Sequence, residues 1–323
     1  MAVIGNNTAG RALPNISFFG SQSWTPAYTL QAYVYVIGGG GSGGCSGEDN
    51  RRASGGGAGG CAISLLTLVS GTAYTVTIGA GGAQIYNTTN NNDHGNAGGN
   101  SSFAGSGIST MTGNGGGGGY QNVGAAANGG SGGSASGGTI ANFTGGAGGS
   151  SGDANNNASG GGAVGLWSTG NAAPTGDDDT YEGKLGGNVG FDSDTYASST
   201  LNSWDAIKGL SGIPAHPPFN LYNSQSTFGA TNTSAANQEH SYRQNYQPAG
   251  AVMDHYGYAY STNYWYPAAS PFCGGVGASH PGHDTRAGAG SVGGGGGGVV
   301  ATGGAYCGAG GNGAVLIFPV DLG

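Results

Sequence analysis

The sequence predicts a mainly β and irregular fold. A small terminal β-sheet or sandwich caps packed, glycine-rich, polyproline-II-like loops, and an aromatic-rich irregular module is inserted between them. Three observations lead there. Glycine supplies 76 of 323 residues while only 7% are charged, so much of the chain has no side chain to bury. Period-2 and apolar segments stand at both ends, and no helical period appears between Gly79 and Gly162. Aromatic residues are too many for a disordered chain, at 17 Tyr, 9 Phe and 4 Trp against a formal charge of −8.

The first strands follow from local pattern. Residues 1–15 read as a loosely structured arm, Ile16–Phe19 as a short apolar run and Gly20-Ser21-Gln22-Ser23 as a turn. From Leu30 to Ile37, Leu30, Ala32, Val34 and Val36 alternate with Gln31, Tyr33, Tyr35 and Ile37, giving one aliphatic and one mixed face. That strand runs directly into Gly38–Gly41. Cys61–Leu68 returns as a strand, and Tyr74, Val76 and Ile78 mark another. The Ser70-Gly71 turn between them predicts a hairpin. Glu48-Asp49-Asn50-Arg51-Arg52, the densest charge cluster, is expected at a solvated loop tip.

Between Gly79 and Gly162, glycine, asparagine, serine and alanine are broken only by isolated anchors: Ile85, Tyr86, Phe103, Ile108, Met111, Tyr120 and Phe143. Ordered glycine tracts suit extended polyproline-II-like helices packed side by side. With three residues per turn and no internal hydrogen bonds, each N–H and C=O is left for a neighbour. A run such as Gly293–Gly298 would span roughly 19 Å at about 3.1 Å per residue. Collagen is excluded because no strict Gly-X-Y period runs through the tracts. The chain closes on Ala314–Val320, which reads as a buried strand.

Composition divides the chain into 1–164, a glycine-rich scaffold, 165–286, an inserted Tyr/Trp-rich module, and 287–323, the closing glycine tract and last strand. The middle stretch holds ten of the 17 tyrosines, three of the four tryptophans and five of the six histidines. Tyr and Trp offer large, rigid contact area at low entropic cost, and their rings stack on sugar faces. The receptor-contact candidates are Trp204, Tyr242, His255, Tyr256, Tyr258, Tyr260, Tyr264, Trp265 and Tyr266. Any one of these rings could instead belong to the core of the inserted module.

Several chemistries find no support. Seven Lys+Arg and a pI near 4.9 leave no basic stripe for nucleic acid. No apolar run approaches the length of a bilayer-spanning helix, and the N-terminus lacks the charged and apolar regions of a secretory signal. The one Gly-Lys, Gly183-Lys184, is followed by Leu185 rather than Ser or Thr, so there is no phosphate loop. His280, His283 and Asp284 could gather at a metal, and Asp177-Asp178-Asp179 at calcium, but both read first as solvated loops. No metal, cofactor or catalytic residue is therefore assigned, and the protein is not expected to be an enzyme. Cys45, Cys61, Cys273 and Cys307 are spaced too widely for a CxxC motif and read as buried thiols. Cys45–Cys61 and Cys273–Cys307 pairings stay open.

The order of these segments resembles the glycine-rich domain of bacteriophage tail fibres and related virion proteins. It is also similar to the polyglycine-helix sandwiches of some tail-fibre adhesins. The likeness rests on Ser23-Trp24-Thr25-Pro26-Ala27 leading into a strand that runs straight into glycine. It rests further on TAYTVTIGAGGAQ (Thr72–Gln84), on GNAGGNSSF (Gly95–Phe103) and on a terminal GGNGAVLIFPV. The resemblance covers about 1–164 and 287–323. It implies a β-capped glycine scaffold, placed in the virion beside other virion proteins, near a fibre tip whose loops contact a host cell-surface glycan or outer-membrane protein. It also implies a homotrimer. A capsid decoration or capsid-fibre protein with a purely structural role is the alternative, and a tailspike-type polysaccharide hydrolase is a third reading. Neither nucleic-acid binding nor membrane insertion is expected.

Overall fold

The structure is a computed structural model that describes residues 15–47, 51–87, 93–123, 126–152, 157–159, 161–166, 168–173, 175, 272, 274–275, 277–280, 285–301 and 304–320. The arm expected at 1–15 lies outside them apart from its last residue. No helix occurs among the described residues. The alternating segments of the sequence form two facing sheets. The first orders β1 (Ile16–Phe18), β19 (Ala314–Pro319), β3 (Leu30–Ile37), β6 (Cys61–Leu68) and β13 (Ala141–Phe143). The second orders β12 (Ala135–Ser136), β10 (Met111–Gly113), β9 (Ser101–Gly105), β7 (Tyr74–Thr77) and β2 (Gln22–Trp24). Every pairing within these two sheets is antiparallel.

The aliphatic face of β3 dictates the core. Leu30, Ala32, Val34 and Val36 point into the space between the sheets, where they meet Phe18, Leu68, Tyr74, Val76, Phe103, Met111, Val315 and Ile317. Burying each of the larger aliphatic or aromatic side chains contributes about 1.5–3 kcal/mol. Tyr74 stacks on Phe103 with ring centroids 5.4 Å apart and planes at 9°. The Val69 amide donates to the Tyr74 hydroxyl at 2.9 Å, so the buried phenol is satisfied. The mixed face of β3 builds a second cluster on the other side, in which Ile37, Cys61, Ile63, Leu316 and Phe318 meet Val164, Leu166 and Phe272.

Two expectations fail here. Cys61–Leu68 and Tyr74–Ile78 are not a hairpin, because β6 pairs with β3 and β13 while β7 pairs with β9 and β2. The Ser70-Gly71 turn carries the chain from one sheet to the other, which lets Leu68 and Tyr74 enter the same core from opposite sides. Residues Gln22 and Ser23, read as part of a turn, lie in β2, whose Trp24 packs edge-on against Phe18 at 5.8 Å. The predicted strands at Leu30–Ile37, Cys61–Leu68 and the C-terminal apolar run form as expected, the last lying between β1 and β3.

Beyond Ile37 the hydrogen bonds change period. The amides of Gly38, Gly41 and Gly44 donate to the carbonyls of Gly60, Gly57 and Ser54. Those of Gly39, Ser42 and Cys45 donate to Gly99, Asn96 and Asp93, and those of Gly40 and Gly43 to Gly311 and Gly308. Every third residue faces the same neighbour. That is the signature of a helix with three residues per turn, and it excludes a two-sided strand ladder. The carbonyls of the same tract accept from three further tracts: Gly39 and Ser42 from Gly116 and Gly119, Gly40 from Gly82, and Gly41 and Gly44 from Gly296 and Val299. The tract is thus enclosed by six neighbours. Residues 54–60 are enclosed in the same way, donating to 114–120, 146–149 and 293–296 and accepting from 38–44, 130–133 and Gly162.

Close approach is the reason for glycine. A Cβ placed on Gly40 would overlap the Gly294 carbonyl oxygen, so the Cα–H bond that points there makes a Cα–H···O contact instead. Gly293 has a different role. Its φ of +71° turns the chain between two tracts, so the extended part of the Gly293–Gly298 run starts one residue later than the sequence implies. Ala58 and Ser42 are tolerated within the enclosed tracts, and the Asn96 amide donates to the Ser42 hydroxyl at 2.8 Å.

At the far end of the tracts, away from the two large sheets, are three small ribbons. One joins β11 (Gln121–Val123), β5 (Arg51–Ala53) and β14 (Asn157–Ala158). The second joins β15 (Ala278–His280), β17 (Val299–Ala301) and β4 (Cys45–Ser46). The third joins β16 (Thr285–Arg286), β18 (Ala305–Tyr306) and β8 (Tyr86–Asn87).

Candidate functional site

The nine aromatic and histidine candidates, Trp204 to Tyr266, lie outside the described residues, as do Cys273, His283, Asp284 and Asp177–Asp179. The scaffold on both sides of that stretch is described. The Val164 amide donates to the Phe272 carbonyl at 2.8 Å, and the Gly170 and Ala173 amides donate to the carbonyls of Thr144 and Ala147. Lattice hydrogen bonds are therefore present past residue 165 and at Phe272, whose side chain is buried against the outer face of the first sheet.

The described residues carry a chemically distinct end of their own. Arg51, Arg52, Asp93 and Arg286 are the charged side chains among them, and all four belong to the ribbon end. Tyr306 is stacked on Tyr86 at 4.2 Å with planes at 26°, and the Arg286 guanidinium carbon stands 3.9 Å from the Tyr306 ring centre. Tyr306 thus contacts both a ring and a guanidinium. At the same end, His94 meets Tyr120 at 5.0 Å, and the Gln121 amide donates to His94 Nδ1 at 3.2 Å. Tyr86 and Tyr120 are about half exposed.

The expected role of Tyr86 and Tyr120 as anchors is therefore corrected. Phe103 and Met111, both fully buried, anchor that region, and Ile85 packs on a small cluster around Cys45. The expected solvated tip is also corrected in part, with Glu48, Asp49 and Asn50 outside the described residues. Arg51 and Arg52 form β5, and Arg52 is 5% exposed with its Nε donating to the Gly152 carbonyl at 3.2 Å. Pairing with β11 and β14 buries it, a long-range contact that charge density in the sequence does not report.

The groups gathered here are flat rings, three guanidinium groups, an imidazole, amides and one carboxylate. Asp93 is the one carboxylate among the described residues, so these residues cannot by themselves supply the two carboxylates that glycoside hydrolysis uses. Among the described residues no three His, Cys, Asp or Glu side chains gather to hold a metal. Cys45, Cys61 and Cys307 are free and buried, and the placing of Cys45 and Cys61 in different clusters argues against their pairing. Cys61 lies in the outer-face cluster and Cys45 in the one at the ribbon end.

A family model described as a glycine-rich domain matches residues 16–318. No curated protein matches the chain.

Proposed function

The chain belongs to the glycine-rich domain family, and, on the resemblance of its ordered strand and glycine segments to tail-fibre proteins, we propose that it is a bacteriophage virion protein, a tail-fibre or fibre-tip component that binds a host surface glycan or outer-membrane protein without catalysis. One observation carries this reading. The interior tracts have almost no side chains, while the charged groups and the stacked tyrosines of the described residues gather at one end. A lattice whose enclosed tracts each hydrogen-bond to six neighbours is a stiff support, and stiffness lowers the entropic cost of presenting a contact surface. The Tyr/Trp-rich stretch from Trp204 to Tyr266 adds the residue types that dominate binding hot spots.

The test is competition. Purified protein should block adsorption of phage particles to host cells, and gold-labelled antibody should decorate the tail. Replacing Tyr264, Trp265 and Tyr266 together by alanine should abolish the competition while circular dichroism and melting stay unchanged. Capsid labelling without competition would favour a decoration protein, and release of reducing ends from host polysaccharide would favour a hydrolase.

A further inference from the structure

The ribbon end holds two buried thiols that the contact reading does not use. Cys45 ends the first glycine tract and Cys307 begins the last, and the chain brings them together across β4 and β18. Both sulfurs face the backbone of Ile85. The Ile85 amide donates to Cys307 Sγ at 3.1 Å, while Cys45 Sγ lies 3.6 Å from the Ile85 carbonyl oxygen and 3.1 Å from that of Ala305. Both belong to one buried cluster with Ala287, Val299, Ala301 and Ala305.

We propose that Cys45 and Cys307 are a dithiol that closes to a disulfide, a covalent staple joining the first and last tracts at the ribbon end. The Ile85 amide directs its N–H at Cys307 Sγ, which favours a thiolate there and makes it the nucleophile. Cys45 Sγ donates to the Ala305 carbonyl, which holds its proton, so it is the resolving thiol. The oxidant is a small disulfide such as oxidised glutathione. Cys307 thiolate attacks one of its sulfurs, breaking the S–S bond and releasing one glutathione thiolate. Cys45, losing its proton, then attacks Cys307 Sγ and releases the second. Two protein thiols give up two protons and two electrons, and the small disulfide becomes two thiols. Both cysteines are fully buried, so the exchange occurs during folding or through local opening of the two-residue ribbons.

The experiment uses the full chain, refolded or incubated with oxidised glutathione, and compares it with a dithiothreitol-treated sample. Each is unfolded, alkylated and digested without reduction. The expected result is a linked peptide pair containing Cys45 and Cys307 of one molecule, loss of two alkylatable thiols and an upward shift of Tm by several degrees. Cys45→Ala should lose that shift and leave Cys307 as a mixed disulfide with glutathione. Alkylation of all four cysteines after oxidation, or linkage through Cys61 or Cys273 instead, would overturn the proposal. The peptide map is read on the unaltered chain, so it does not depend on any variant folding.

Discussion

A Cβ on Gly40 would land on the carbonyl oxygen of Gly294, because the two tracts pass each other without room for a methyl group. Both partners are backbone, and the tract that holds Gly40 is enclosed on six sides, so neither can yield cheaply. Gly40→Val should destabilise the chain by more than about 4 kcal/mol, in the range of severe core defects. Gly20 is the control, with nothing within 4 Å of its added Cβ, and Gly20→Ala should stay within about 0.5 kcal/mol of the parent. Denaturant melts of both variants decide the matter. Equal tolerance at the two positions would mean that the first tract is a linker.

The enclosed tracts should also be the slowest to exchange. In 38–44 and 54–60 every amide has a carbonyl partner at 2.8–3.1 Å, and those partners are themselves held in the lattice. Local opening would have to part several tracts at once, so exchange there should follow global unfolding. Residues 106–110, a turn outside the strands, should exchange much faster. Hydrogen–deuterium exchange read by mass spectrometry over these peptides measures the ordering, and rapid exchange at 38–44 would contradict it.

Between the large sheets, Tyr74 joins two kinds of stabilisation. Removing its hydroxyl in Tyr74→Phe leaves the Val69 amide without that acceptor and should cost about 1 kcal/mol. Phe103→Ala empties a fully buried site and removes the stacked partner, which should cost about 3–5 kcal/mol. Tyr74→Ala removes the stacked ring itself, so combining it with Phe103→Ala should cost less than the sum of those two single variants. Urea melts of Tyr74→Ala, Phe103→Ala and their double variant give the coupling, and strict additivity would show that the stack contributes only buried area.

The two modes of packing differ in how far the sequence reveals them. In β3 and β19 side-chain alternation or a continuous apolar run marks the strand, because the partner sheet is held by side chains. A glycine tract has no such pattern. That Gly39 bonds to Gly99 and Gly40 to Gly311 depends on partners far along the chain, and no residue type distinguishes one glycine from the next. The turn at Ser70-Gly71 announces a reversal but says nothing of which sheet the returning strand joins. At the ribbon end, Tyr306 and Arg286 stand singly beside glycine tracts, and only the pairing of β16, β18 and β8 assembles them with Tyr86.

Cys61 supplies a pH test of burial. It is fully buried in the outer-face cluster, and burial pushes its thiol above the ordinary cysteine range because the thiolate would lose its hydration. In the unfolded chain the same thiol titrates near the usual value of about 8.5. Above that pH the unfolded state releases a proton that the folded state keeps. Stability contributed by this group is therefore intact below about pH 8.5 and falls as pH rises, by at most about 1.4 kcal/mol per unit. Cys45 is shifted in the same direction and Cys307 in the opposite one, so the comparison must isolate Cys61. Cys61→Ala leaves a cavity that lowers stability equally at every pH, but it should flatten the decline between about pH 8.5 and 10 relative to the parent. Urea melts across that range under reducing conditions measure the two slopes. Parallel slopes would mean that the thiol ionises as readily in the folded chain as in the unfolded one.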